Sequence, residues 1–482
     1  MFRLREEAIS GVFWSTMKQF SSQGVGFIVS VILARLLEPE DFGLIAMIGV
    51  LMGLGNVLVN SGLAQSLIRT KECNDDDYST VFIFNLISSA LLYVLLYISA
   101  PFVAIFYDRI ELGAIIRLYG VIFIINALGQ IHLTILTKEM DFKAQMMINL
   151  PALIISGGAG IYLALKGFGV WSLVYQSILY ATFNALLLWM KSSWKPKLAF
   201  DLEKFKYHFV YGSRLALSGV IETLFSNLYL IIIGKFYAPK LVGYYNRAET
   251  LNKLPAVNLS TIINQVSFPL FSRIKDNDSL LKNYYSKFME ISIFISAPLL
   301  IFMAVTGDSL FRLIFTEKWV PAVPYFQILV LSYILYPINA FNLNILKIKG
   351  RSDVFLKLEI IKKVILCVLL LISLPFGLKW ILYSSVVSSI LAFVLNSFYS
   401  GRYIDYNLKE QILGLLPYLL AAVFGGLCVY MIYINIASYS DVGRILFSCM
   451  FGSIVYLSIC YVLKLSALKT LLNISTTRLI KP

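Results

Sequence analysis

The chain predicts an all-α integral membrane protein of about fourteen transmembrane helices, in two pseudo-symmetric six-helix lobes followed by two C-terminal helices. Three observations predict it. Hydrophobic residues make up 59% of the 482 and charged residues only 14%, against roughly 25% charged in a soluble domain. Apolar runs of the length a bilayer requires, about 20 residues, recur along the whole chain. A short segment near residue 34 has an echo 200 residues later. A mean hydropathy of +0.78 also excludes disordered, collagenous and disulfide-scaffold classes.

The apolar runs fall near 10–36, 42–68, 79–99, 113–136, 147–165, 169–190, 208–233, 241–270, 288–305, 322–346, 355–374, 376–400, 410–432 and 442–463. They are too long and continuous for outer-membrane barrel strands, which are roughly 10 residues of alternating pattern. The first run lacks a small-residue cleavage site and carries Lys18 and Gln19, so a retained helix is expected rather than a signal peptide. Cys73, Cys367, Cys428, Cys449 and Cys460 show no CxxC or metal spacing and read as small buried hydrophobes. No cofactor or metal is expected.

Orientation follows from the loop lysines and arginines. With the N-terminus inside, 25 of the 41 fall on the cytoplasmic side and seven on the other. Both termini are therefore expected in the cytoplasm. The net charge of +14 is then a topology signal, and no nucleic-acid partner is expected.

The echo pairs ARLLEPEDFGLIAM (34–47) with GKFYAPKLVGYYNR (234–247), matching Arg35 to Lys235, Pro39 to Pro239 and Gly43 to Gly243. A helix hairpin alone favours Pro and Gly at its turn. A duplication explains in addition why the second copy opens the second half. Six spans separate the copies, so both enter the membrane in the same direction, as parallel repeats do. The expected organisation is an N-terminal lobe over 1–200, a C-terminal lobe over 201–405, two further spans over 406–463 and a cytoplasmic tail over 464–482. The joint KSSWKPKLAFDLEKFKYH (191–208) reads as positive-inside anchoring or as a docking strip for anionic lipid head groups.

Polar residues inside a span must face protein or a wet cavity. At 100° per residue, Ser15, Lys18 and Ser22 share a face of the first span, and Gly49, Gly53, Asn56 and Asn60 one of the second. Ser218, Glu222 and Ser226 align on the seventh, and Asn246, Glu249, Lys253, Ser260 and Asn264 on the eighth. Asn126, Gln130 and Thr134 mark the fourth; Ser332, Asn339 and Asn342 mark the tenth. The Ser and Gly positions weigh toward interhelical hydrogen bonding and close packing. Lys18, Glu222 and Lys253 weigh toward function. Glu249 and Lys253, spaced i,i+4, also fit simple mutual neutralisation. Arg117, Arg214 and Arg247 lie near span ends, where anchor and site readings both stand. The candidate substrate-binding set is Lys18, Lys253, Arg247, Arg117, Asn60 and Asn264; the candidate ion-coupling groups are Glu222 and Glu249. A net cationic cavity between two lobes suits an anionic head group and not an organic cation. Pro255, Pro298 and Pro337 lie inside runs and read as kinks.

The chain has no GxxxxGK[ST] loop, HExxH or G-x-S-x-G elbow, and its only histidines are His132 and His208. A secondary transporter is therefore expected and not an ATPase or other enzyme. The acidic Asp75–Asp77 run reads as a solvated cap. The longest outer connection, near 306–321, is too short to hold a glycan acceptor.

The N-terminal GVFWSTMKQF (11–20) and the turn ARLLEPEDFGLIAM resemble the signature of the bacterial polysaccharide transporter family. So do VGYYNRAETLNKLPA (242–256) and QVSFPLFSRIKDND (265–278). That family belongs to the multidrug/oligosaccharidyl-lipid/polysaccharide (MOP) exporter superfamily. The resemblance implies a two-lobed bundle of 12 to 14 helices in the bacterial inner membrane. It implies flipping of undecaprenyl-pyrophosphate-linked oligosaccharide units by alternating access, for exopolysaccharide, capsule or O-antigen. Implied partners are that cargo, membrane lipids, a coupling proton or sodium ion, and the polysaccharide polymerase machinery. A lipid II flippase and a MATE-like drug/cation antiporter are alternatives within the superfamily, and a membrane glycan polymerase or ligase is one outside it. Arg35, Pro39 and Gly43 would shape the lobe turn, and Arg247 would face the lumen.

Overall fold

The computed structural model describes residues 2–60 and 62–470, with the side chains of 2–9, 12 and 60 outside that description. Residues 471–482, most of the expected tail, lie outside the described residues.

Helix follows helix, because each apolar run is bounded by residues that stop or start one. The first set is α1 (Phe2–Leu36), α2 (Pro39–Asn60), α3 (Leu63–Arg69), α4 (Asp75–Tyr107), α5 (Glu111–Tyr119), α6 (Val121–Lys138), α7 (Phe142–Leu165) and α8 (Val170–Lys191). Next come α9 (Leu202–Ser226), α10 (Leu228–Phe236), α11 (Pro239–Arg273), α12 (Asp278–Val305) and α13 (Gly307–Phe315). After a 3₁₀ stretch (Glu317–Ala322) follow α14 (Val323–Ile334), α15 (Tyr336–Ile348), α16 (Ser352–Ser373), α17 (Leu378–Gly401), α18 (Leu408–Asn435) and α19 (Asp441–Val462). No strand occurs among the described residues. The starts are chemically marked. Asn74 and Asn407 form capping boxes with Asp77 and Glu410, while Asp201 and Asn277 accept first-turn N–H groups. Pro39 and Pro239 open α2 and α11, where a missing N–H is harmless.

Among the described residues, eleven helical segments are long and apolar enough to cross a membrane. The number is twelve when α9 and α10, bent by 48°, make one span. The sequence expectation was fourteen. The two that fall short are α11, with Arg247, Glu249 and Lys253, and α16, with Lys357, Glu359, Lys362 and Lys363. Their charges dilute the apolar signal. Several expected spans are broken: the fourth into α5 and α6 at Gly120, the seventh at Asn227, the tenth into α14 and α15. Pro337 stands in the first turn of α15 and marks that last break, whereas Pro255 and Pro298 lie inside α11 and α12.

The chain forms two compact units, Met1–Gly243 and Tyr244–Pro482. In the first, α1 packs on α7, α7 on α8, α4 on α6, and α9 on α2 and α3. The α8–α9 connection folds back over the start of α4. Backbone N–H groups of Lys197 and Asp201 donate to Ser79 Oγ (3.0 Å) and Thr80 Oγ1 (3.1 Å). Lys197 pairs with Asp75 (3.0 Å) and Lys204 with Asp77 (3.3 Å). Hydrogen bonding to Asp75 raises the Lys197 pKa above that of a free lysine. His208 is wholly buried between Ser66 Oγ (2.8 Å) and Asp77 Oδ1 (3.3 Å). The Asp75–Asp77 run is thus a clasp for the basic joint and more than a solvated cap. Trp194 completes it, edge-on to Phe82 and Tyr78 beside buried Leu63, Leu67 and Ile131.

The echoed turns meet in this unit. A Cβ on Gly43 would collide with the carbonyl oxygen of Pro239, and one on Gly243 with that of Pro39. Backbone cannot yield as a flexible side chain does, so both positions require glycine. In the second unit α12 packs on α18, and α18 on α19. Buried Asn342 accepts hydrogen bonds from Tyr285 and from Ser400 (2.7 Å) and donates to Ser397 Oγ (3.0 Å). Ser332 meets Ser385 at 3.1 Å, and Asn396 donates to Asn339 at 3.2 Å. The tenth-span stripe is therefore interhelical glue.

Gly43→Ala is expected to destabilise the protein by about 1–3 kcal/mol, the range for overpacking. Gly49→Ala, with nothing within 4 Å of its Cβ position, should be neutral or stabilising by up to about 1 kcal/mol. Thermal unfolding of the detergent-solubilised variants checks the contrast.

Candidate functional site

Each unit carries its own polar constellation. In the first, Lys18 sits half-buried on α1 and donates from Nζ to Gln145 Oε1 at 2.6 Å. Gln145 Nε2 in turn donates to Thr137 Oγ1 (3.0 Å). One turn along, Ser22 Oγ donates to Asn149 Oδ1 (2.9 Å), and Asn149 Nδ2 to Tyr180 OH (2.6 Å). The expected Lys18–Ser22 stripe thus faces a matching stripe on α7, and α8 supplies the tyrosine. The partner of Lys18 is a neutral amide, so hydrogen bonding is satisfied while the positive charge is not cancelled by a carboxylate among the described residues. A half-buried cation left in that state is energetically costly, so it is a functional candidate.

The other first-unit candidates are dispersed. Arg117 is exposed on α5 with its guanidinium 4.8 Å over the Tyr97 ring, a cation–π contact on the surface. Glu222 is exposed on α9. The side chain of Asn60 lies outside the described residues.

In the second unit α11 presents three environments. Arg247 is 7% exposed and lies 5.8 Å from both the Phe315 and the Trp319 ring centroids. Two aromatic rings thus form part of its surroundings. Glu249 is half-buried and accepts a long hydrogen bond from Tyr333 OH (3.4 Å), while Lys253 is exposed one turn on. Asn264 accepts from Asn344 Nδ2 (2.9 Å) and donates to Ser260 Oγ (3.3 Å). Between them, wholly buried Asn252 donates to the Ala248 and Phe326 carbonyls (3.0 and 3.1 Å), fixing α11 to α14.

The structure therefore joins Glu249, Lys253 and Asn264 on one helix face and draws Arg247 into the packing. Sequence reasoning missed Gln145, Asn149, Tyr180, Tyr333 and Asn344. Gln145 and Asn149 are spaced i,i+4 on α7, but Gln145 precedes the fifth apolar run, so a helical wheel of that run would have found only Asn149. The tyrosines carry no such signal, because a Tyr in an apolar run looks like any other aromatic.

Long apolar helices, helix breaks within spans and polar groups lining selected faces define a multi-pass helical membrane protein. Residues 32–324 match the family described as polysaccharide biosynthesis protein. The chain belongs to that family. It is 26% identical over 355 residues to the teichuronic acid biosynthesis protein TuaB of Bacillus subtilis, covering 73% of each chain. It is 21% identical over 331 residues to the succinoglycan biosynthesis transport protein ExoT of Rhizobium meliloti, covering 68% of this chain and 67% of that one. Its fold is similar to that of the lipid II flippase MurJ in an inward closed conformation. The TM-score is 0.76 at 14% identity, over 93% of this chain and 98% of that one.

Gln145→Leu should remove the acceptor of Lys18 and lower stability by about 1.5–3 kcal/mol, the range for hydrogen bonds to charged groups. Adding Lys18→Met should recover part of that loss, because replacing both partners leaves no stranded charge. A double-mutant cycle on unfolding temperature measures the coupling; strict additivity would show that the two side chains do not interact.

Proposed function

We propose that the protein is a flippase for undecaprenyl-pyrophosphate-linked oligosaccharide repeat units, working by alternating access in the bacterial inner membrane with both termini in the cytoplasm. Its product would feed exopolysaccharide, capsule or O-antigen assembly. In this reading α11 and α16 complete fourteen spans, as two six-span repeats over 1–200 and 201–405 and two further spans over 406–463. The observation that carries it is Lys18, a cation on a membrane-spanning helix held by a neutral amide. Lys253, exposed on the polar face of α11, is a second cation, carried by the other repeat. Both would attract the pyrophosphate, and Asn60 and Asn264 would offer hydrogen bonds to sugar hydroxyls. Arg117 and Arg247 complete the cationic set. Glu222 and Glu249 are the groups that could take up a proton or sodium ion, since a carboxylate within a span can neutralise. The chain's lack of a phosphate loop fits an ion gradient as the energy source, and the polymerase machinery would receive the flipped unit.

Lys18→Ala and Lys253→Ala are expected to lower surface polysaccharide in a null strain at unchanged protein level. Normal export by both would remove them from the mechanism. In reconstituted vesicles, the wild type should move labelled prenyl-pyrophosphate oligosaccharide, and Glu222→Gln should weaken the response to an imposed proton or sodium gradient. Equal or faster movement of lipid II would reassign the cargo.

A further inference from the structure

The first unit holds an open cleft of about 570 Å³, within the size range of sites for small ligands. Its walls are the α2–α3 junction, α4 and α9, contributing among others Leu58, Phe84, Ser88, Leu91, Ser213 and Leu217. Among the described residues the polar side chains in the lining are Ser88 and Ser213, and Ser213 turns its hydroxyl back to its own helix at Val210 O (3.4 Å). Leu58, Leu91 and Leu217 at the mouth are 54%, 66% and 64% exposed. Ser88 and Leu91 lie in the middle of α4, a membrane-crossing helix from Asp75 to Tyr107. At that depth the surroundings are hydrocarbon, and a described lining with two hydroxyls among leucines, valines and phenylalanines offers little to hold water. What fills it is therefore an apolar chain.

The charge at one end narrows the occupant. Lys206 precedes Phe209, Ser213 and Leu217 on α9 by 3, 7 and 11 residues, a spacing that keeps all four on one helix face. It is exposed. Neighbouring Lys204 is engaged by Asp76 and Asp77, whereas Lys206 has no ion-pair partner among the described residues. From Lys206 to Phe209 the helix rises only about 4.5 Å. An apolar slot beginning one turn beyond an uncommitted cation is complementary to an amphiphile with an anionic head.

We propose that this cleft seats the isoprenoid chain of the lipid-linked cargo, with the lipid's phosphate against Lys206. The proposal rests on the flippase reading and adds where the tail lies during recognition. The test uses full-length protein in vesicles of phosphatidylethanolamine and phosphatidylglycerol, with a benzophenone-bearing phenylalanine replacing Leu91. Illumination with trace undecaprenyl phosphate should capture that lipid in preference to the phospholipids. Lys206→Ala and Ser213→Phe should each reduce capture about tenfold, equivalent to about 1.4 kcal/mol of binding. Ser88→Phe makes the same comparison should Ser213→Phe fail to fold. Capture of phospholipid alone, or capture indifferent to these substitutions, would overturn the proposal. Flipping by the unsubstituted protein is assayed separately. Capture without flipping supports the site while refuting the transport reading, and flipping without capture refutes the site.

Discussion

Hydrocarbon offers no hydrogen bonds, so every polar group a helix carries into a bilayer has to meet protein or water. Most of the non-apolar detail in this chain is arranged by that constraint. Lys18 and Ser22 on α1 meet Gln145 and Asn149 on α7. Asn342 gathers Tyr285, Ser397 and Ser400 from three other positions. Asn264 and Asn344 satisfy each other between α11 and α15. These pairs fix which helices are neighbours, since lipid tails and leucines attract each other no more than they attract themselves. Where a helix carries more charge than such pairing absorbs, as α11 does, it ceases to look like a membrane helix. It is then also the natural place for chemistry.

Much of this was legible in the sequence. Span positions followed from run length, because a bilayer sets a minimum that few soluble helices reach. The turn at Pro39–Gly43 and its echo at Pro239–Gly243 were visible as matching letters, though their reason was not. Neither glycine can carry a Cβ without striking the other turn's proline carbonyl, and a one-dimensional comparison records only that both are glycine. The stripes on α1 and α11 were legible from helical periodicity. Their partners were harder, because a polar stripe says that something faces it and not what. Arg247 illustrates the limit. Its neighbours in sequence are polar, yet Phe315 and Trp319 come from a segment some seventy residues away.

Helix breaks escaped for a different reason. Pro337 announced the α14–α15 break, and the structure has one there. No proline stands at Gly120 or Asn227, yet α5–α6 and α9–α10 divide at those positions. Both residues are poor helix formers, which makes a break cheap without making it necessary. Tertiary packing decides, and at Asn227 the side chain returns to the Thr223 carbonyl at 2.8 Å, alongside the residue's own backbone N–H at 3.3 Å. The charged α16 is the opposite case. Its Lys362 and Glu359 pair at 2.5 Å, so fewer of its charges stand unpaired than its composition suggests.

The cleft in the first unit follows from two kinds of contact of unequal thickness. On one side α9 meets α2 and α3 through glycine. A Cβ at Gly62 would strike the Gly212 backbone, and one at Gly219 would stand 2.8 Å from Val57 Cγ1. On the other side α9 meets α4 through tilted and edge-on rings, with Phe84 4.8 Å from Phe205 and 5.8 Å from Phe209 between centroids. Two helices that touch backbone to backbone at one edge and ring to ring at the other enclose a wedge with the third. The rings lie toward the Lys206 end of α9, and beyond them, among the described residues, Ser, Ala, Leu and Val side chains face the gap. Those are too short to close it. A protein with no use for the space could fill it with one larger side chain at Ser88 or Ser213, gaining buried contact area. Its persistence between a glycine seam and an aromatic pair is therefore a structural preference that an apolar occupant would explain.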